Sequence, residues 1–595
     1  MTNTLISIIS SWKDSFTPFL SWIGEIKDGK TLKADVVAGL TVALILVPQS
    51  MAYAQLAGLP AYVGLYASFL PVIIASFFGS SRQLATGPVA IVSLMTATAL
   101  EPLALTPEGY IAYAAIIAMM VGLLQLSLGL FRLGVLVDFM SHPVVLGFTN
   151  AAALIIASSQ INKILGIDSR KGDHNYETLW HLVQDLTQTH FETLSMGVLS
   201  IFLLVFIKKL SSKLPVILIT VVTCTLISYF FGYEKQGGAV VGMVTGGLPG
   251  FKVPEVDFEY IKQLIAPAAV IALLGFVEAI SIAKALSQET RQRLSADQEL
   301  VGQGLANIVS SLFQGYAVSG SFSRSAVNFS ARAKTGFSSV ITGLLVALTL
   351  LFLTPLLHHL PQATLAAVIM VAVIGLIKIE PVEHAWKVHR HDGFIAIAVF
   401  ATTLFFAPHL ENGIMIGVLL SLGLYIYQTM TPKLIEVSRH EDGTLRGAKT
   451  FNLQTSDTIA IYRYDGDLYF VSAGYLEKRI LDYTAAKPRL KVLILDLEAV
   501  SFIDATGEEV IILISEHLKS AGIDFYIART KKPLMDVFQR TGLLQKIGER
   551  YFFLSRKEAA LYAKKKYGSA IDIAPLLEYM PLETTDLSGN EKKEK

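Results

Sequence analysis

The sequence has one cysteine, Cys224, in 595 residues, which excludes an intramolecular disulfide and a cysteine metal site. Charge is also scarce. Only 16% of residues are charged and the net charge is +1, so there is no basic surplus of the kind that binds nucleic acid. With 52% hydrophobic residues and a mean hydropathy of +0.53, a chain of this length belongs in a membrane. The first thirty residues lack a basic start, an apolar core and a small-residue cleavage site, so no signal peptide is expected. No stretch resembles a nucleotide-binding loop, a nucleophile with its base or a metal cluster, so neither an enzyme nor a cofactor is expected. His358 and His359 precede Pro361 with no other ligand nearby in sequence, and are read as interfacial.

What the chain does contain is one polar segment in apolar surroundings. Tyr316-Ala-Val-Ser-Gly-Ser-Phe-Ser-Arg-Ser-Ala-Val-Asn-Phe-Ser-Ala-Arg332 lies between the apolar runs Val301–Phe313 and Phe337–Leu353. Ser319, Ser321 and Ser323 alternate with Val318, Gly320 and Phe322, the period of an extended strand; from Arg324 the pattern turns helical. Inside a membrane such a break is tolerated only against protein or a water-filled cavity. The new helix would point its free N–H groups into that cavity, and Arg324 adds a full charge there, which together describe an anion site. A polar loop outside the bilayer is the alternative.

A second stretch, Ser80 to Leu94, repeats the design, with Thr86-Gly87-Pro88 before a helix from Val89 to about Leu100. Twelve residues span roughly 18 Å, against a hydrocarbon core of about 30 Å. It is half a crossing. Two polar-led half-helices in corresponding halves of the chain point to a transporter's binding site.

Apolar runs from Val36 to Tyr427 give about fourteen passes. Arg82, Arg132, Lys208, Lys209, Arg291, Arg332, Lys387 and Arg390 fall in one set of loops, whereas the short loops near Leu59, Pro107, Pro361 and Pro408 carry no lysine or arginine. The positive-inside rule then puts both termini in the cytoplasm, and the chain is expected in the plasma (inner) membrane. Residues 1–31 form an N-terminal segment in which Ile6–Ile23 suits an amphipathic surface helix. Repeat one covers about 32–231 and repeat two about 262–431, with Gln49 and Tyr53 in the first opening helix and Glu278, Ser281 and Lys284 in the second. After a linker at 432–452, strand patterns at Thr458–Tyr464, Leu468–Val471, Val492–Leu497 and Asp524–Ala528 alternate with helical ones at Thr506–Ala521 and Pro533–Thr541, a soluble α/β domain over 453–566. Residues 567–595 read as a tail, polar and disordered at its end.

Pro48-Gln-Ser-Met-Ala-Tyr-Ala54, Pro60-Ala-Tyr-Val-Gly-Leu-Tyr66, Phe78-Gly-Ser-Ser-Arg82, Thr86-Gly-Pro88 and Ser321-Phe-Ser-Arg-Ser325 resemble, in order, the signatures of SulP-type anion transporters. Residues 453–566 resemble the STAS domain that follows them, with Phe502-Ile-Asp-Ala-Thr-Gly507 at its strand-to-helix turn. The resemblance implies an α-helical polytopic membrane protein with a seven-plus-seven transmembrane inverted repeat, divided into core and gate domains, working by an elevator motion as a homodimer. By position it implies that Gln49, Tyr53, the turn Thr86, Gly87 and Val89, and Ser321, Ser323 and Arg324 line the substrate site. Glu278 matches a position associated with ion coupling.

Each residue also has a plainer reading. Arg324 could neutralise a core acid; Ser321 and Ser323 could cap a helix; Gln49 and Tyr53, one turn apart, could pack between helices. Glu278 could sit in a static pair with Lys284 or Arg324, join a sodium site, or carry a proton alongside an anion. Asp504 and Thr506 are either a helix cap or a regulatory, phosphorylatable turn. The function expected is secondary active transport of a small inorganic oxyanion, sulfate first, by proton symport. Sodium-coupled bicarbonate uptake, anion exchange and dicarboxylate transport are the alternatives within the class, and a channel or a sensor lies outside it.

Overall fold

The computed structural model describes residues 18–103, 106–135, 140–167, 175–211, 214–242, 246–255 and 258–576. Most of the surface helix expected over Ile6–Ile23, and the tail from 577 onward, lie outside them. The chain divides into two compact units, one ending at Leu422 and one beginning at Gly423.

The first unit is helical: α1 Gly29–Leu56, α2 Ala61–Tyr66, α3 Leu70–Phe78, α4 Ala90–Leu100, α5 Pro107–Leu130, α6 His142–Leu165, α7 Asn175–Gln184, α8 Phe191–Leu210, α9 Val216–Phe231, α10 Phe258–Thr290, α11 Ala296–Leu312, α12 Phe322–Ser330, α13 Phe337–Leu348, α14 Gln362–Ile374, α15 Glu380–Val388, α16 Arg390–Phe406 and α17 Leu410–Met430. Among the described residues, eight segments are long and apolar enough to cross a membrane and three shorter ones are apolar. With α11, α12 and α16 these make the fourteen segments. Large apolar side chains such as Phe202, Phe206, Leu226, Phe405 and Leu419 are exposed on them, as lipid-facing surfaces require.

Helices α1–α5 and α10–α13 pack mainly among themselves, and so do α6, α8, α9, α14 and α16. Within the first set α5 lies close against α11. A Cβ on Gly304 would stand 2.5 Å from the Leu126 amide nitrogen, and one on Gly122 would stand 2.7 Å from that of Ile308, so only glycine lets these backbones meet. Asp35, fully buried in α1, accepts from the Lys334 and Thr335 amides at 2.7 and 3.1 Å and from the Thr335 hydroxyl at 2.6 Å. That clamps the opening helix of one repeat to the segment after the half-helix of the other.

The second unit is a six-stranded sheet in the order β4-β3-β5-β6-β7-β8. β5 Ile459–Asp465, β6 Val492–Asp496, β7 Asp524–Ala528 and β8 Phe552–Phe553 run parallel, and β3 Lys433–Arg439 and β4 Leu445–Gly447 add antiparallel strands. Every residue of β6 is buried, because helices cover both faces. α18 Phe470–Ala486, α19 Ala505–Ser520, α20 Lys532–Thr541 and α21 Leu543–Ile547 put Leu476, Ile480, Ile511, Ile514 and Phe538 on one face. α22 Arg556–Tyr567 puts Ala559, Ala560 and Ala563 on the other. Asp496 ends β6 buried, 3.5 Å from Arg556; burial pushes its carboxyl above the usual range and the arginines, Arg556 first, oppose that.

Three expectations change here. The stretch 432–452 is no linker: β3 pairs with β5 from Lys433↔Asp465 to Val437↔Ile461, so the domain begins before 453. Leu468–Val471 is no strand beyond a single bridge to Ile503, since α18 starts at Phe470. Nor does the domain stop at 566, because Ile571, Ile573 and Leu576 pack into the α22 face.

Candidate functional site

The two half-helices meet through their lead-in segments. β1 Thr86–Gly87 pairs antiparallel with β2 Ser319–Gly320, Thr86 opposite Gly320 and Gly87 opposite Ser319. Flanking bonds extend the contact: the Ser321 amide donates to the Ala85 carbonyl at 2.9 Å, and the Ala85 amide to the Ser325 hydroxyl at 2.8 Å. Because antiparallel strands run opposite ways and each continues into its helix, α4 and α12 leave the ribbon in opposite directions. Both N-termini therefore face it, bringing together the amides that have no intrahelical acceptor. Both helices begin slightly off the expected positions. α4 starts at Ala90 with Val89 as its N-cap, and α12 starts at Phe322, so Ser323 is helical rather than extended.

Arg324, in the first turn of α12, is fully buried. Its Nη1 donates to Gln49 Oε1 at 3.1 Å, and Gln49 Nε2 donates to the Tyr53 hydroxyl at 3.0 Å. The Nε and Nη2 of Arg324 are buried with no hydrogen-bond partner among the described residues. Those two N–H groups share one edge of the guanidinium, the fork that grips two oxygens of an oxyanion at once. A Cβ on Gly87, whose φ is +147°, would stand 3.2 Å from Nη2. Glycine is thus what allows the guanidinium to lie along the ribbon.

Of the expected residues, the structure joins Gln49, Tyr53, Gly87, Ser321 and Arg324 here. Ser321 is the N-cap of α12, yet its hydroxyl makes no capping bond and instead lies 3.5 Å from that of the exposed Ser323. Thr86 differs: its hydroxyl accepts from Gln303 Nε2 at 2.8 Å, so its side chain braces the ribbon. Glu278 pairs with neither Lys284, which is exposed, nor Arg324 among the described residues; its Oε2 is buried without a partner, with the charge of Arg324 acting on it through space. No salt bridge of the static-pair reading joins them among the described residues. In the second unit, Asp504 caps α19 through the Gly507 amide at 2.8 Å and also accepts from the Phe470 amide at 2.8 Å, serving two helix starts, while Thr506 is exposed.

Sequence reasoning missed the braces. Asn307 accepts from the Val318 amide at 2.8 Å and its amide nitrogen reaches Val318 O, Gln303 O and Gln125 Oε1 at 3.0–3.1 Å. Glu299 accepts from the Ser80 and Ser81 amides and from Gln303, and Tyr316 exchanges a bond with Ser93 at 2.8 Å. Asn307, Gln303 and Glu299 are polar residues within one helix, α11, and their bonds to Gln125, Thr86, Ser80 and Ser81 reach segments far away in sequence. Glu234, too, stands beside His358 and His359, a grouping that no local pattern could reveal. Asn307→Leu is expected to destabilise the membrane unit by roughly 2–4 kcal/mol, since the two peptide groups of Val318 lose buried partners at about 1–2 kcal/mol each. The measurement is the unfolding temperature of the purified full chain, and an unchanged value would mean the ribbon is held by other bonds.

The pattern of the sulfate permease family matches residues 32–399, and that of the STAS domain matches 450–559. The chain belongs to the sulfate permease family. Among relatives, this sulfate permease family member is 35% identical over 569 residues to sulfate transporter 4.1, chloroplastic, of Arabidopsis thaliana, covering 92% of this chain and 82% of that one. It is 31% identical to high affinity sulfate transporter 2 of Stylosanthes hamata, covering 92% and 86%. Its fold matches that of SLC26A9 with a TM-score of 0.85 at 24% identity over 94% of both chains. The transmembrane domain of the cyanobacterial bicarbonate transporter BicA matches with 0.57 at 25% identity, over 66% of this chain and 98% of that one. Membership makes this permease a multi-pass membrane transporter and no enzyme.

Proposed function

We propose that the protein is a secondary active carrier of a small inorganic oxyanion, sulfate first, held between the facing N-termini of α4 and α12. The observation that carries this reading is the buried, unpartnered Nε–Nη2 edge of Arg324 beside the ribbon. A buried guanidinium with two idle donors is unstable by several kcal/mol unless an anion answers it. Relatives named as sulfate transporters support sulfate, and the bicarbonate transporter among the structural neighbours makes bicarbonate the second candidate. Glu278, carrying no partner on Oε2, is the proton carrier of a symport in this reading, with sodium as the alternative coupling ion. The two helix sets move past one another as an elevator, both termini are cytoplasmic, the membrane is the plasma membrane, and the working unit is a homodimer.

The test is uptake of labelled sulfate into proteoliposomes under a proton gradient, a sodium gradient or neither. Saturable uptake driven by protons alone is expected. Sulfate uptake under no condition, with bicarbonate accumulated instead, would replace the substrate and leave the site in place; unitary currents would replace the carrier with a channel.

A further inference from the structure

Away from the ribbon, three side chains from two distant segments converge. Glu234 lies in the turn Tyr233–Gln236 that follows α9, and His358 and His359 follow the turn Thr354–Leu357 that leads toward α14. Their ligand atoms all lie within 4.8 Å of one another. Glu234 Oε2 is 3.5 Å from His358 Nε2 and 3.8 Å from His359 Nδ1.

The segments are held in register by backbone bonds, independently of these side chains. The Val241 amide donates to Leu360 O at 2.9 Å, the Gly242 amide to His358 O at 3.1 Å and the Gln362 amide to Ala239 O at 2.9 Å. Val240 and Pro361 form a bridge. The His359 ring also packs edge-on against Tyr229 at 5.1 Å. The carboxylate and both imidazoles are thereby presented together on a preformed frame.

The spacing discriminates between the ways these groups can interact. At 3.5 and 3.8 Å both nitrogens stand beyond good hydrogen-bond distance from the oxygen. A double ion pair would need two imidazolium rings whose centroids are 4.7 Å apart to share one carboxylate oxygen, leaving a positive charge unanswered. Two ligands each 2.0–2.1 Å from a tetrahedral ion lie about 3.3–3.4 Å apart, close to what is observed. We infer that Glu234, His358 and His359 form a His-His-Glu site for a transition-metal dication of the zinc type. All three side chains are part-exposed, at 30, 35 and 50% for His358, His359 and Glu234, so the fourth position opens to solvent and takes water. The site lies where the chain passes from α13, in one helix set, to α14, in the other. An ion there staples that passage to the end of α9.

The experiment uses the purified full chain with its affinity tag removed, metal-stripped and held in nanodiscs, titrated with Zn2+ by calorimetry and with Co2+ by visible absorption. One ion per chain is expected, with the d–d bands of four-coordinate cobalt and a rise in unfolding temperature on adding Zn2+. His358→Ala, His359→Ala and Glu234→Gln should each weaken binding at least about tenfold, the low end for losing even an indirect metal contact. His409→Ala, which breaks a two-residue pair with Glu411, should leave it unchanged. Absence of saturable Zn2+ binding in the unsubstituted chain overturns the proposal without recourse to any variant. Binding that persists in the His358→Ala/His359→Ala double variant overturns it equally.

Discussion

Saturable sulfate uptake by the Arg324→Ala variant is expected to fall by about 100-fold or more relative to the unsubstituted chain. The size follows from the two free donors of the guanidinium: charge-assisted hydrogen bonds contribute roughly 1.5 kcal/mol or more each, and every 1.4 kcal/mol is tenfold. Arg324→Lys separates charge from shape. An ammonium keeps the positive potential but has no planar fork, so it should recover part of the uptake while leaving affinity well below that of arginine. Loss of the contact to Gln49 Oε1 alone would act through packing; Gln49→Ala measures that part and should have the smaller effect. Kinetics of labelled sulfate uptake, alongside the unfolding temperature of each variant, decide the matter. If Arg324→Ala keeps its affinity and rate within twofold at normal stability, the anion does not sit on Arg324.

The second large effect concerns drive. Glu278→Gln is expected to abolish acceleration by a proton gradient while sparing exchange of labelled for unlabelled sulfate at equal pH. Glutamine has nearly the shape of a protonated carboxyl and cannot release a proton, so a cycle that needs Glu278 to alternate between charged and neutral forms would lose its coupling and keep its binding site. The buried, unpartnered Oε2 fits that alternation, because a carboxylate locked in an ion pair would have no reason to change state. Retained exchange shows that the variant folds. An undiminished response to the proton gradient in Glu278→Gln would assign coupling to another group.

Much of this was legible because it is local. A serine-rich, arginine-bearing break between apolar runs identifies a half-helix without any knowledge of what it touches, and Thr86-Gly87-Pro88 does the same for its counterpart. The parallel strands β5, β6 and β7 read correctly because each is a short apolar run. Where a segment's fate depends on a remote partner, the reading failed. Lys433–Arg439 looks like a connector until β5 is placed beside it. Leu468–Val471 has strand composition, but Phe470 donates to Asp504 and Tyr469 to Ser472, and those caps begin a helix. The braces at Asn307, Gln303 and Glu299 carry no local signature because polar residues are common in such a helix. Sulfate or bicarbonate is a question of oxygen count and shape that serine, amide and guanidinium donors do not encode.

The pairing of Gly87 with Ser319 and Thr86 with Gly320 also sets an order of events during synthesis. Chains are made from the N-terminus, and the first half-helix is complete long before Ser319 has left the ribosome. Until then the amides of Ala85 to Gly87 have no β2 to meet, Gln49 has no guanidinium, and no anion-gripping edge exists. The ribbon is thus assembled only once the second repeat is under way, and the proposed anion site does not exist in a nascent chain that ends before α12.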